Sequence, residues 1–240
     1  MLTKPIIVYH TKTQSTICYD GFCAAMLYWR VYGNEADYVP IMYHQSLPIE
    51  MFAGRDVVFV DFSFNVDTMD AINEVANSLI MFDHHAPKAP SFEGRAYANF
   101  GKAECASVMV HKHLYPDVPM PIMIELIDDA DRNLNMHEDV LPFVIALSTE
   151  PSTFERWSHL LGELESPGLY SEFLVRGRLL QGYEDAKIDL LVKDSFPLKL
   201  CGIDGLAVNG NKFFAHRVAT KLSEYSKTFG AVFYLRADGN

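Results

Sequence analysis

Four short apolar runs in the first 85 residues constrain the fold of this chain more than any other feature: Ile6 to Tyr9, Tyr38 to Tyr43, Val57 to Val60 and Leu79 to Phe82. They are β-branched and aromatic, and mostly continuous rather than alternating, as expected of strands covered on both faces of a parallel sheet. Helical patterns lie between them. Asp20 to Tyr32 is dense in helix formers and stops at Gly33. Val66 to Asn77 carries Met69, Ile72, Val75 and Ala76 at helical spacing behind Asn65, a residue suited to an N-cap. The alternation predicts an α/β fold, a doubly wound parallel sheet with right-handed crossovers.

The middle of the chain reads as helical. Glu104 to Leu114, Pro121 to Asp131, Val140 to Leu147 and Thr153 to Leu161 each carry a helical period, and prolines break them apart. Leu169 to Val192 is long enough for a connecting helix. After Pro197 the pattern turns to strand (Leu198 to Ile203, Leu206 to Val208), helix (Lys212 to Tyr225) and strand (Gly230 to Leu235). The expected organisation is a catalytic-type domain with its helical region over 1–168, a connecting helix over 169–195, and a small C-terminal α/β unit over 196–240. A chain of 240 residues has room for one large and one small domain.

In open α/β sheets ligands gather at the carboxyl ends of the strands, and three of these runs end in metal-ligating residues. Ile6 to Tyr9 runs into His10, Val57 to Val60 into Asp61, and Leu79 to Phe82 into Asp83, His84 and His85. A carboxylate behind VVFV or LIMF is costly unless paired or metal-bound. A structural scaffold with incidental acids would need three coincidences. Asp20, at the head of the first helix, could simply cap that helix; beside the other groups it is also a metal-ligand candidate. Mixed carboxylate and imidazole donors suit Mn²⁺ and similar ions.

The triplet Asp83-His84-His85 behind an apolar strand, Asp61 ending the preceding strand, His10 followed by Cys18-Tyr19-Asp20-Gly21-Phe22, and IDDAD from Ile127 to Asp131 together resemble the DHH phosphoesterase family, the superfamily of RecJ-like enzymes and nano-RNases. The likeness covers roughly residues 4 to 135 in the expected order. It implies a metal-dependent phosphoric ester hydrolase with two divalent ions, Mn²⁺ first and Mg²⁺ or Co²⁺ as alternatives. Asp61 would bridge the ions, with Asp20, His84 and Asp129 completing one shell. His10 would help hold the other, with Cys18 as a candidate further ligand. Asp83 would orient His84, and His85 would face the phosphate. Asp20, Asp61, Asp83, His84, His85 and Asp129 form the implied catalytic set, serving attack on phosphorus by a hydroxide held between the ions.

Two departures from the family pattern stand out. His10 lies ten residues before Asp20 where the pattern has five, and Ser15 occupies the usual position, so an insertion within TKTQST with His10 retained is expected. No glycine-rich, histidine-bearing segment follows Leu235, which leaves substrate contacts to Arg132, Lys102, His216 and Arg217. Asp131 is the substitute for Asp129 if that helix ends early.

Net charge narrows the substrate. Twenty Lys+Arg against 31 Asp+Glu gives −11, which disfavours long nucleic acid because such binding rests on many cationic contacts. The expected substrate is a small nucleotide or short oligonucleotide. A metal- or nucleotide-binding sensor that has lost catalysis is the alternative. Four cysteines without a C-x-x-C pair, and no apolar stretch near the ~20 residues of a membrane span, predict a cytoplasmic protein without membrane partners. A homodimer is compatible with the sequence.

Overall fold

Strand β1 (Ile6–Thr13) lies inside the larger sheet of the computed structural model, which describes residues 4–85, 87–101 and 103–234. Its far end turns back through Gln14 and Ser15 into the two-residue β2 (Thr16–Ile17). This hairpin lies between His10 and Asp20, which are ten positions apart in sequence. The Thr11 hydroxyl bonds the carbonyl oxygens of Thr13 and Thr16 at 3.1 and 2.9 Å and fastens the turn.

Helix α1 (Tyr19–Tyr32) follows, then β3 (Asp37–Ile41), β4 (Asp56–Val60), α2 (Val66–Val75), β5 (Ser78–Asp83) and the short β6 (Ala98–Phe100). With β1, these strands run parallel in the order β3-β1-β4-β5-β6. The chain first steps from β1 to β3 on one side, then returns to place β4 on the other. That reversal makes a crevice at the carboxyl ends of β1 and β4, the usual ligand position in such sheets.

The continuous apolar runs are explained by burial of both parities. Ile7, Tyr9, Val58 and Val60 enter one core; Ile6, Val8, Val57 and Phe59 enter the other. On the first face pack α1, α3 (Ala106–Leu114), α4 (Ile122–Arg132), α5 (Val140–Leu147), α6 (Phe154–Glu163) and the start of α7 (Pro167–Lys193). On the second, α2 presents Met69 and Ile72, with Asn65 accepting the Thr68 N–H as its cap. The doubly wound α/β architecture stands as expected.

The chain divides into two compact units, Met1–Gly177 and Arg178–Asn240, so the division falls inside α7. The second unit has its own small core of Ile188, Val208, Val218 and Leu222 under a sheet of β7 (Phe196–Leu200), β8 (Ile203–Asn209) and β9 (Gly230–Phe233), with α8 (Ala215–Ser226). The single strand expected from Leu198 to Ile203 is a hairpin instead. Cys201 and Gly202 take φ of 49° and 84°, and two consecutive left-handed residues reverse the chain between paired strands. Leu235 and Lys102 lie outside the described residues. Among the described residues, no helix is long and apolar enough to cross a membrane.

Candidate metal centre

His10, Asp61 and His84 converge at the carboxyl ends of β1, β4 and β5. His10 is buried, with Nδ1 at 3.2 Å from Asp61 Oδ2. His10 thus stays in the crevice although a hairpin separates it from Asp20. Cys18, at the N-cap of α1, is buried beside both; burial first, and Asp61 next, push its thiol well above the ordinary value. Gly21 makes the approach of α1 possible, because a Cβ there would meet the His10 carbonyl oxygen at 2.7 Å and Asp61 Oδ2 at 3.1 Å.

Asp61 itself sits at φ +56°, a region few non-glycine residues occupy and one that Asp tolerates comparatively well. This bend follows directly on β4 and sets the carboxylate between the histidines. Burial works against its ionisation, yet the neighbouring imidazoles of His10 and His84 and the Cys18 thiol outweigh it and hold the carboxyl well below the ordinary range.

His84 Nε2 lies 3.3 Å from Asp61 Oδ1, 3.2 Å from Asp131 Oδ2 and 3.7 Å from Asp20 Oδ2. Burial alone would lower its pKa; the three carboxylates raise it to about 9. Asp20 is fully buried, and burial, then Asp61 and Asp131, raise its pKa to about 7. Its two oxygens accept the N–H groups of Ala106 and Ser107 at 2.9 and 2.7 Å. Asp20 thus caps α3, a helix 86 residues away in sequence, rather than the helix it begins.

The Asp83 contact differs from expectation. Its Oδ1 accepts from His85, at Nδ1 (2.6 Å) and backbone N (3.1 Å), while Oδ2 accepts the Ser63 hydroxyl at 2.7 Å. Asp83 orients His85 and not His84. The reason is local: a carboxylate readily closes a turn onto the amide two residues ahead, and the His85 ring follows its backbone. His85 Nε2 meets the Tyr43 hydroxyl at 2.9 Å. With Nδ1–H given to Asp83, the neutral ring accepts that bond from Tyr43.

Asp129 lies outside the three ligand groupings, although its Oδ1 is buried without a hydrogen-bond partner. Its Oδ2 accepts the N–H groups of Met136 and His137 at 2.9 and 2.7 Å, tying down the loop beyond α4. Asp131 takes the place next to His84. Residues two apart on a helix face apart, so only one of them can point into the crevice. Asp128 faces a third way, accepting from the Cys105 amide and Arg132. That ion pair occupies Arg132, as Glu184 and Asp185 occupy Arg217; His216 is exposed on α8.

Tyr43, Ser63 and Lys88 join the site without a motif to mark them. Lys88 bonds the Ser63 carbonyl at 2.9 Å and stands 3.9 Å from Asp83 Oδ2. Tyr43 follows the end of β3, so the strand-end rule that finds His10 points to it too.

Three overlapping triads offer ligand atoms within 4.8 Å of one another: His10, Cys18 and Asp61; Asp61, His84 and His85; Asp20, His84 and Asp131. Asp61 belongs to two of them. Among the described residues, Asp61 Oδ1, His84 Nε2 and Asp129 Oδ1 are buried without a hydrogen-bond partner, as are the Tyr28 hydroxyl and Trp157 Nε1 in the core. Unpaired buried polar atoms are costly, and carboxylate and imidazole donors suit a divalent transition-metal cation. The residues present fit such an ion.

No family model matches the chain. A protein of Acanthamoeba polyphaga mimivirus, "Uncharacterized protein R106", is 25% identical over 176 residues, covering 66% of this chain and 40% of its own. The chain thus spans about two fifths of that relative's length. Among solved structures, an uncharacterized protein from Helicobacter pylori G27 aligns with a TM-score of 0.49 at 10% identity, over 98% of this chain and 83% of that one. RecJ from Thermus thermophilus, in complex with Mn²⁺, aligns with a TM-score of 0.44 at 15% identity, over 97% and 43%.

Proposed function

We propose that this chain hydrolyses a phosphate ester with the help of divalent cations, Mn²⁺ foremost, on a small nucleotide or short oligonucleotide. The observation that carries the reading is Asp61, a buried carboxylate shared by two ligand triads, with one oxygen and the facing His84 Nε2 left unpartnered. Asp61, His10 and Cys18 would hold one ion; Asp61, His84, Asp20 and Asp131 would hold another.

Bound cations supply charge neutralisation at phosphorus and a lowered water pKa. The chain's own residues supply the rest. Asp20, fixed by the amide N–H groups of α3, keeps one carboxylate in a constant position. Asp83, itself held by Ser63, fixes the His85 ring, whose Nε2 meets the Tyr43 hydroxyl; a phosphate oxygen that took the place of that hydroxyl would accept from the protonated ring. Lys88 adds positive charge beside Asp83.

The test is Mn²⁺-dependent phosphate or nucleotide release over short RNAs, cyclic dinucleotides and nucleotide bisphosphates, with metal stoichiometry measured alongside. Turnover in the wild type, and its loss in Asp61→Ala and His84→Ala, is the expected result. Nucleotide and metal binding without turnover would replace the hydrolase by a sensor of the same fold. Full activity in either variant would remove the assigned centre.

A further inference from the structure

A cavity of about 690 Å³ opens against His84 beyond the end of β6. Ala89, Pro90 and Phe92, from the 3₁₀ turn Ala89–Phe92, wall it together with Ala98 and Phe100 of β6. Phe92 packs on Phe100 with ring centroids 5.4 Å apart. Asp83 and Phe100 are register partners across β5 and β6. The aromatic wall is therefore one strand spacing, about 4.8 Å, from the strand that leads into His84.

The chemistry of the lining differs from that of the centre it adjoins. Among the described lining residues the cations are His84, which belongs to the centre, and Arg95, which is committed to Asp70 through Nε at 3.4 Å and one terminal nitrogen at 2.8 Å. Glu93 brings a negative charge to the rim. These groups do not form an anion cradle. A largely apolar cavity with a few polar groups at its margin, in the size range of about 300–1,000 Å³, suits a small flat ligand. Aromatic side chains beside a phosphate-handling centre hold bases of any identity by stacking.

We propose that this cavity seats a heteroaromatic base of the substrate, with the ester phosphate at its His84 end. The placement of the phosphate rests on the reading of the metal centre given above; the base site itself does not. The site would separate nucleotides from base-free phosphates such as polyphosphate or sugar phosphates.

Equilibrium dialysis of the full chain with AMP and with ribose 5-phosphate, in EDTA and in Mn²⁺, tests it. The wild type should prefer AMP by about tenfold or more in both conditions. Ala89→Trp, which fills the cavity from a half-buried surface turn, and Phe100→Leu, which keeps an apolar residue but removes the ring face, should each bring the ratio to within about twofold. Neither should change the affinity for ribose 5-phosphate. Equal affinity in the wild type, or a preference that both variants retain, overturns the proposal. A preference that persists in EDTA in a chain that hydrolyses no ester upholds the base site and sinks the hydrolase. Mn²⁺-dependent hydrolysis without base preference does the reverse.

Discussion

Asp129 and Asp131 stand two residues apart on α4 and do opposite things. Asp129 anchors two backbone N–H groups of the following loop; Asp131 crowds other carboxylates, and burial and then Asp61 raise its pKa. Asp129→Ala should therefore cost about 1–3 kcal/mol of stability, the cost of leaving buried donors unmet, while Mn²⁺ still stabilises the variant. Asp131→Ala relieves repulsion, so the metal-free protein should be as stable as wild type or more so. Its gain from Mn²⁺, about 2.7 kcal/mol for an ion at a hundred times its Kd, should shrink. Thermal unfolding with and without Mn²⁺ reads both, and the reverse pattern would restore Asp129 to the centre. Gly21→Ala is a third case: the added Cβ meets a backbone oxygen, which cannot turn aside. A loss of about 1–3 kcal/mol with a weaker response to Mn²⁺ is expected in the same unfolding experiment. Asp61, Asp83 and His84 were legible because a carboxylate or imidazole directly behind a buried strand has few reasons to be there. Which of two aspartates on α4 faces the crevice was not, because the answer depends on how the helix packs against α3 and the sheet.

At the scale of elements, the clearest device outside the centre joins three helices. Glu150, just beyond α5, is half-buried with its side chain only 6% exposed, and accepts from Arg156 on α6 and Arg176 on α7, while Arg156 also reaches Glu163 at 2.8 Å. Burial opposes ionisation of Glu150, but the two guanidinium groups prevail and lower its pKa below the ordinary 4.5. A carboxyl with a depressed folded-state pKa stabilises the fold above its unfolded value, and that stability is lost as pH falls through the folded value. Glu150→Gln should then be less stable than wild type by about 1–3 kcal/mol at pH 7, and the gap should close as pH falls below about 4.5. Urea unfolding across that range measures it, and a gap independent of pH would mean that the pairing is not what holds the helices. The helices themselves were readable from their periods to within two residues, except that α8 begins three residues later than its period suggests. The short β6 and the β1–β2 hairpin were not. Three residues such as Ala98–Phe100 carry no periodicity, and the two-residue β2 forms where the chain turns back from β1 to the N-cap of α1.

Across the whole molecule the formal charge is −11, and four acids (Asp20, Asp61, Asp83 and Asp131) lie within one crevice. Two divalent ions there would bring the total to −11 + 4 = −7, so a phosphate could approach the site although the surface at large repels it. Two cations sought as substrate contacts, Arg132 and Arg217, are already paired with acids. A protein that grips Z phosphates of a single strand loses affinity with salt at a logarithmic slope of about −0.7Z. Engagement of one or two phosphates predicts a slope of about −0.7 to −1.4 for 1/KM against salt, the same for a dinucleotide and a long single strand. Rates measured over a salt series at fixed free Mn²⁺ decide it. A slope that steepens with oligonucleotide length would show a groove that tracks the backbone, and the substrate would then be a polymer rather than a small nucleotide.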